Sequence, residues 1–267
     1  MYRHTSEKAF SLVELSIVLV ILGLLTGGIL AGQSLIRAAE LRSVATEANR
    51  YSTAVYTFRD KYFALPGDMR NAVKFWTEQA GGTDDGTDAT CEALGYANPA
   101  TGTATCNGDG DGDVDWLEAW RAWQHLANAG LVEGSFTGVQ GEASDVSFGA
   151  AGENIPAARV NSTVGWTLRN VGSQDGTSGP FAGEYGNPFY LGAGNGVDEG
   201  NFTIPEEVWG IDTKMDDGKP GYGKVRVYNN SSRTNCATTD DPATAEYDYD
   251  NTNTNSGCTP IIFVMGH

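Results

Sequence analysis

Histidine is scarce in this chain. Only three of its 267 residues are His, and two of them, His4 and His267, lie near the ends of the sequence. Histidine-based acid–base catalysis and His-rich metal sites therefore have little material to work with. Basic residues are few as well: 17 Lys and Arg stand against 34 Asp and Glu, a formal net charge of −17. Nucleic acid and anionic lipid headgroups both require a basic face, so no nucleic-acid partner is expected. Charged residues make up 19%, below the roughly 25% usual for soluble domains. With 40% apolar and 10% aromatic residues the chain can still bury a core, which argues against disorder. The four cysteines form no C-x-x-C pair, so a redox or zinc motif is not indicated. No Gly-rich phosphate loop, nucleophile elbow or Ser/His/Asp set can be assembled, and no enzymatic activity is expected.

What is present begins with an apolar run. From Leu15 to Ile36 the sequence carries no charge over 22 residues. A helix of that length spans roughly 33 Å, enough for the hydrocarbon core of a bilayer. The short polar stretch before it holds Arg3 and Lys8, which predicts an N-in orientation. A secretory signal peptide is one alternative, but the run exceeds an h-region of about 7–15 residues and no small-x-small cleavage site clearly ends it. A plain N-terminal anchor is another. Glu14 sets the segment apart from both, because a carboxylate at the start of a membrane segment is costly and needs a partner or a role. Beyond the run, Leu41, Val44, Ala48, Tyr51, Val55, Phe58 and Tyr62 recur at alternating steps of three and four, one stripe of an amphipathic helix. No proline precedes Pro66, so the spacing predicts one helix from about Phe10 to Tyr62, stopped by Leu65-Pro66-Gly67-Asp68.

The stretch K-A-F-S-L-V-E-L, Lys8–Leu15, resembles the prepilin-type signal of type IV pilins and type II secretion pseudopilins. The resemblance covers the first sixty residues and is patchy beyond Asp68. It implies that a prepilin peptidase cuts between Ala9 and Phe10 and methylates the new amine, with Ala9 standing where the family usually has Gly. It implies that Glu14, then the fifth residue, pairs with an N-terminal amine during assembly. It further implies an α+β, pilin-like fold, a long N-terminal helix packed on a loop-rich antiparallel sheet. The expected organisation is a leader at 1–9, the long helix at 10–62 with about 12–36 in the membrane, and a globular domain at 63–267. The implied partners are other pilin or pseudopilin subunits and the inner membrane, with a periplasmic or extracellular filament after assembly. Gly23, Gly27, Gly28 and Gly32 suit close approach of neighbouring helices.

Between Lys74 and Arg121 no basic residue occurs, while ten acids do. Within that stretch N-G-D-G-D-G-D-V-D-W-L-E, Asn107–Glu118, matches the twelve-residue EF-hand loop. Asn107, Asp109 and Asp111 take positions one, three and five, and Gly112 makes the turn at six. Asp113 offers its backbone carbonyl at seven, Asp115 acts at nine, and Glu118 closes the loop at twelve. Oxygen ligands in this number and spacing predict calcium as the cofactor. Asn107 in place of Asp removes one charge, which predicts affinity of roughly 10⁻⁴–10⁻³ M, as in extracellular modules. Trp116, Trp120, Trp123 and Ala127 predict a helix leaving the loop and ending at Gly130, whereas no helix enters it. The three tryptophans are read as core; the alternative is a ligand platform of a tip adhesin carried on a pilin stem.

Thr203–Gly218 reads as a short helix, with Thr203 and Glu206 as a capping box and Val208, Ile211 and Met215 as its buried face. Asp212 and Asp216, one turn apart, make a weak second cation site. All four cysteines follow the apolar run, so structural disulfides are expected in an oxidising compartment. Three pairings exist, and proximity favours Cys91–Cys106 and Cys236–Cys258. Short strands are expected at Val164–Leu168, Pro188–Leu191, Lys224–Tyr228 and Pro260–Val264.

Overall fold

The computed structural model describes residues 11–79, 102–139, 149–176, 179–193, 202–229, 236–249 and 258–263. The chain divides into two compact units, residues 1–40 and 41–267. Helix α1, Leu12–Tyr62, begins in the first and ends in the second. Its N-terminal part is apolar and exposed, and it includes a window of mean hydropathy 2.4, long and apolar enough to cross a membrane. The helix forms because no proline interrupts 51 positions rich in Leu, Ala and other helix formers, which outweigh the glycines Gly23, Gly27, Gly28 and Gly32 within it. Phe10, the expected first helical residue, lies outside the described residues.

In the second unit, the stripe expected from spacing is the buried face. Leu41, Val44, Ala48, Tyr51, Val55 and Phe58 are all buried, and Tyr62 packs against the same cluster. Spacing did not reveal Glu47, which is buried within the stripe. After Phe63 the chain makes the turn expected at Leu65–Asp68, followed by a 3₁₀ turn at Ala72–Lys74. Helix α2, Trp116–Asn128, follows the acidic loop, and Gly130 ends it in the left-handed region at φ 71°.

The strands are β1 (Ala157–Ala158), β2 (Asn161–Leu168), β3 (Ser173–Gln174), β4 (Gly179–Pro180), β5 (Gly183–Glu184), β6 (Phe189–Ala193), β7 (Val225–Asn229) and β8 (Pro260–Ile262). Helix α3, Pro205–Met215, lies between β6 and β7 in sequence. The main sheet runs β1-β2-β6-β8-β7-β4 with antiparallel neighbours, and β3 pairs with β5. All four expected strands are present, so the class is α+β. Register explains the core. Trp166 faces Leu191 and Leu168 faces Phe189 across β2 and β6, and alternation puts Val164, Trp166 and Leu168 on one face. Tyr51 of α1 meets Trp123 of α2 edge-on at 4.9 Å, Trp166 of β2 at 5.6 Å and Phe189 of β6 at 6.1 Å. These aromatic contacts join helix, helix and sheet around one residue.

Two expectations are corrected here. Trp120 and Trp123 are buried as expected, but Trp116 is 39% exposed. It is the first residue of α2, and the Arg169 guanidinium lies over its ring at 3.5 Å. At α3 the N-cap is Ile204, and Thr203 Oγ1 donates to Glu207 rather than to Glu206. Pro205 starts the helix, so one more residue separates the threonine from its carboxylate.

Candidate functional site

The N-terminal segment positions Glu14 in the first turn of α1. Its Oε2 accepts the Ser11 amide at 2.9 Å, so the carboxylate satisfies one of the free donors at the helix start. Ala9 and Phe10, the expected cleavage and methylation residues, lie outside the described residues. A Cβ added at Gly23, Gly27, Gly28 or Gly32 would meet nothing within 4 Å, so these positions present open helix surface.

The acidic loop has the internal bonding that its Asp-x-Asp spacing favours. Asp109 Oδ1 accepts the Asp111 amide at 3.1 Å, and Asp111 Oδ1 accepts the Asp113 amide at 2.9 Å. Gly110 and Gly112 adopt φ 70° and 101°, which let the backbone coil at these two positions. Val114, the apolar eighth residue, is buried and anchors the loop in the core. Asn170 and Asn187 brace it from the sheet side: Asn170 Nδ2 donates to Asp113 Oδ1 at 2.7 Å, and Asn187 Oδ1 accepts the Val114 amide at 2.7 Å. Burial raises the pKa of Asp113, and Asp111, Asp115 and Asp109 add to the rise.

The expected ligands differ in what they face. Asn107 is buried, and its Oδ1 accepts the Val73 amide at 3.1 Å. Asp115 is the N-cap of α2. Glu118 is buried; its Oε1 accepts the Asp109 amide at 3.0 Å and its Oε2 the Asp115 amide at 3.2 Å. The carboxylate thus ties two loop backbone positions to the first turn of α2. Arg121 Nη1 donates to the Asn107 carbonyl at 3.1 Å, and Arg70 Nε donates to that of Asp109.

One carboxylate at this place belongs, by local sequence, only to a turn. Asp68, just after Pro66-Gly67, offers an oxygen that lies with oxygens of Asp109 and Asp111 inside a 4.8 Å span. Asp68 is 4% exposed. Its Oδ2 accepts the Gly112 amide at 3.1 Å, and its Oδ1 is buried with no hydrogen-bond partner among the described residues. Burial pushes its pKa up to about 6; the Gly112 and Gly110 amides oppose the rise, and Asp111 and Asp109 add to it. Ligand oxygens at 2.3–2.6 Å from a calcium ion are at most about 5 Å apart, so this donor set fits that cation. No local signal marks Asp68, because its partner amide is 44 residues away.

The second acidic spot gathers Asp212, Asp216 and Asp217, with oxygens within 4.8 Å of one another. Asp212 is fully buried, and its Oδ2 accepts the Tyr247 hydroxyl at 2.9 Å. Burial pushes its pKa up to about 7, opposed by that hydrogen bond. Cys236 and Cys258 are disulfide-bonded to each other. Cys106 is also disulfide-bonded, while Cys91, its expected partner, lies outside the described residues.

No curated protein and no solved structure matches this chain. The long apolar helix and its leading sequence fit a membrane-anchored precursor. Residues 4–30 match the family model of the prokaryotic N-terminal methylation motif, so the chain carries the prepilin-type signal of type IV pilins and pseudopilins.

Proposed function

We propose that this protein is a structural subunit of a type IV pilus or a type II secretion pseudopilus. Its globular part is stabilised by calcium in the loop Asn107–Glu118. The methylation motif at residues 4–30, running into helix α1, carries the reading. A prepilin peptidase removes residues 1–9 and methylates the Phe10 amine. The subunit waits in the inner membrane on its apolar helix and then packs that helix against those of neighbouring subunits. The protein's work is assembly, not catalysis.

Glu14 is the charged group of that helix core. In a dry environment it pairs with an N-terminal amine and sets the stagger between subunits, since an unpaired carboxylate there is strongly disfavoured. In the loop, Asn107, Asp109, Asp111, Asp113, Asp115 and Glu118 would hold calcium. The ion would neutralise acids that otherwise repel one another. The adhesin alternative is less well supported, because Trp120 and Trp123 are core and Trp116, the one exposed member of the three, has the Arg169 guanidinium over its ring.

The test is the N-terminal mass of the protein from envelope or sheared-filament fractions. A methylated Phe10 terminus is the expected result, and an intact Met1 would overturn the assignment. Replacing Glu14 with Ala should abolish normal incorporation into filaments while leaving the processed protein in the membrane.

A further inference from the structure

We propose that the cation of the acidic loop is also held from outside the loop, by the carboxylate of Asp68. This rests on the calcium reading of residues 107–118. Asp68 belongs to the turn that follows helix α1, so the ion would bridge that turn and the loop.

Three observations converge. First, Asp68, Asp109 and Asp111 each place a carboxylate oxygen within 4.8 Å of the others, the spacing of oxygens around a single ion. Second, Asp68 is almost completely buried, yet its Oδ1 has no hydrogen-bond partner among the described residues. A buried carboxylate oxygen without a donor is costly unless a cation satisfies it. Third, the first loop position carries Asn107, which is neutral, and its Oδ1 already accepts the Val73 amide. Asp68 restores the negative charge that asparagine removes from the set. Glu118 gives both oxygens to backbone amides, which makes an outside carboxylate more useful still.

The backbone holds the two segments in register. The Gly108 amide donates to the Met69 carbonyl at 2.9 Å, and Gly112 donates to Asp68 itself. A Cβ at Gly108 would lie 2.4 Å from the Gly67 carbonyl oxygen, so only glycine allows this approach. Calcium occupancy would therefore reach residues 63–71 as well as the loop.

The test uses the full chain in detergent, stripped of divalent ions and titrated calorimetrically with calcium chloride. Wild type, Asp68→Asn and Asp109→Asn are compared after circular dichroism confirms folding. Asparagine can still accept the Gly112 amide, so the turn should persist. The expected result is calcium binding by wild type, weakened about tenfold or more by either substitution. Wild-type affinity in Asp68→Asn, with affinity lost in Asp109→Asn, overturns the role of Asp68 and leaves the calcium loop standing. Absence of calcium binding by wild type overturns both. Hydrogen exchange on the unsubstituted protein gives a readout free of folding artefacts. Calcium should slow exchange at 63–71 together with 107–118, and slowing confined to 107–118 overturns the proposal.

Discussion

The backbone amide of Gly67 donates a hydrogen bond to Nδ1 of His125 at 3.0 Å. An amide can only donate, so Nδ1 is the acceptor and the neutral ring carries its proton on Nε2. Nε2 lies 2.9 Å from Thr105 Oγ1, whose own hydroxyl donates to Gln124. The ring forms a three-ring cluster with Phe58 and Trp76, at centroid distances of 6.2 and 5.3 Å, and those two rings are themselves 6.2 Å apart. One histidine thus joins the end of α1, the turn that carries Asp68, and the residues that enter the acidic loop.

This arrangement predicts a pH dependence. Burial, with help from Arg121, lowers the His125 pKa from 6.5 to about 3. Between those values the unfolded chain binds a proton that the folded chain refuses. Stability contributed by His125 is therefore full above about pH 6.5 and falls as pH drops toward 3, by up to about 1.4 kcal/mol per pH unit. Denaturant titrations at pH 7.5 and pH 5, in chelator, should show this loss in the wild type. His125→Gln should be less stable at pH 7.5 and flatter with pH. Equal slopes for both proteins would exclude His125 as the source.

Glu47 supports a second prediction. It is buried on α1, where its carboxylate accepts the Trp166 indole N–H at 3.3 Å and the Arg159 amide at 3.2 Å. The Arg159 guanidinium, 3.7 Å away and 65% exposed, adds little because solvent screens it. Glu47→Ala leaves the buried indole without an acceptor and should cost about 2–4 kcal/mol. Glu47→Gln keeps an acceptor and should cost about 1 kcal/mol or less. Thermal unfolding of the detergent-solubilised chain separates the two. Equal losses would mean that charge, not hydrogen bonding, holds the contact.

Gly108→Ala tests the seam between turn and loop. The added methyl would collide with the Gly67 carbonyl and with the Asp68 backbone, at 2.4 and 2.5 Å. Backbone cannot yield as a flexible side chain can, so the loop must move away from Asp68. We expect a loss of about 1–3 kcal/mol in stability, and calcium affinity lowered along with it. Gly210→Ala, where an added Cβ meets nothing within 4 Å and φ is not left-handed, is the control for the extra methyl alone.

Much of this architecture was legible in local pattern. The 3–4 spacing of α1, the Trp-rich periodicity of α2 and the short β-branched and aromatic strands are each set by residues near one another in sequence. What escaped notice depends on distant pairs. Glu47 looked like an ordinary acid on a helix, because its partner Trp166 lies 119 residues away. Asp68 looked like a turn residue because the amide it accepts belongs to Gly112. The loop residues themselves were recognisable by spacing. Spacing could not show that Asn107 and Glu118 give oxygens to backbone amides, since that depends on how the loop seats against residues 68–73. Pro205 shifted the helix start by one residue, so the capping partner of Thr203 moved from Glu206 to Glu207.

The disulfide between Cys236 and Cys258 should contribute most to the C-terminal region of the fold. It closes a separation of 22 residues, and cross-linking a loop of that size stabilises by about 3 kcal/mol on the chain-entropy account. The segment it encloses has few apolar side chains of its own. Ala237, Ala245 and Tyr247 are buried together with Phe181, Val208 and Val227, and both cysteines belong to the same small cluster. Cys258 also pairs its backbone with Thr203, just before α3, and Tyr247 reaches Asp212 within that helix. Breaking the bridge should therefore loosen 236–258 and α3 together, while the core around Tyr51, Trp123 and Trp166 is left intact. Replacing both cysteines with Ser should lower the melting temperature. It should also speed hydrogen exchange in α3 and in 236–249 far more than in α2 or β2. Uniformly faster exchange would instead show that this region is part of a single cooperative unit with the main core.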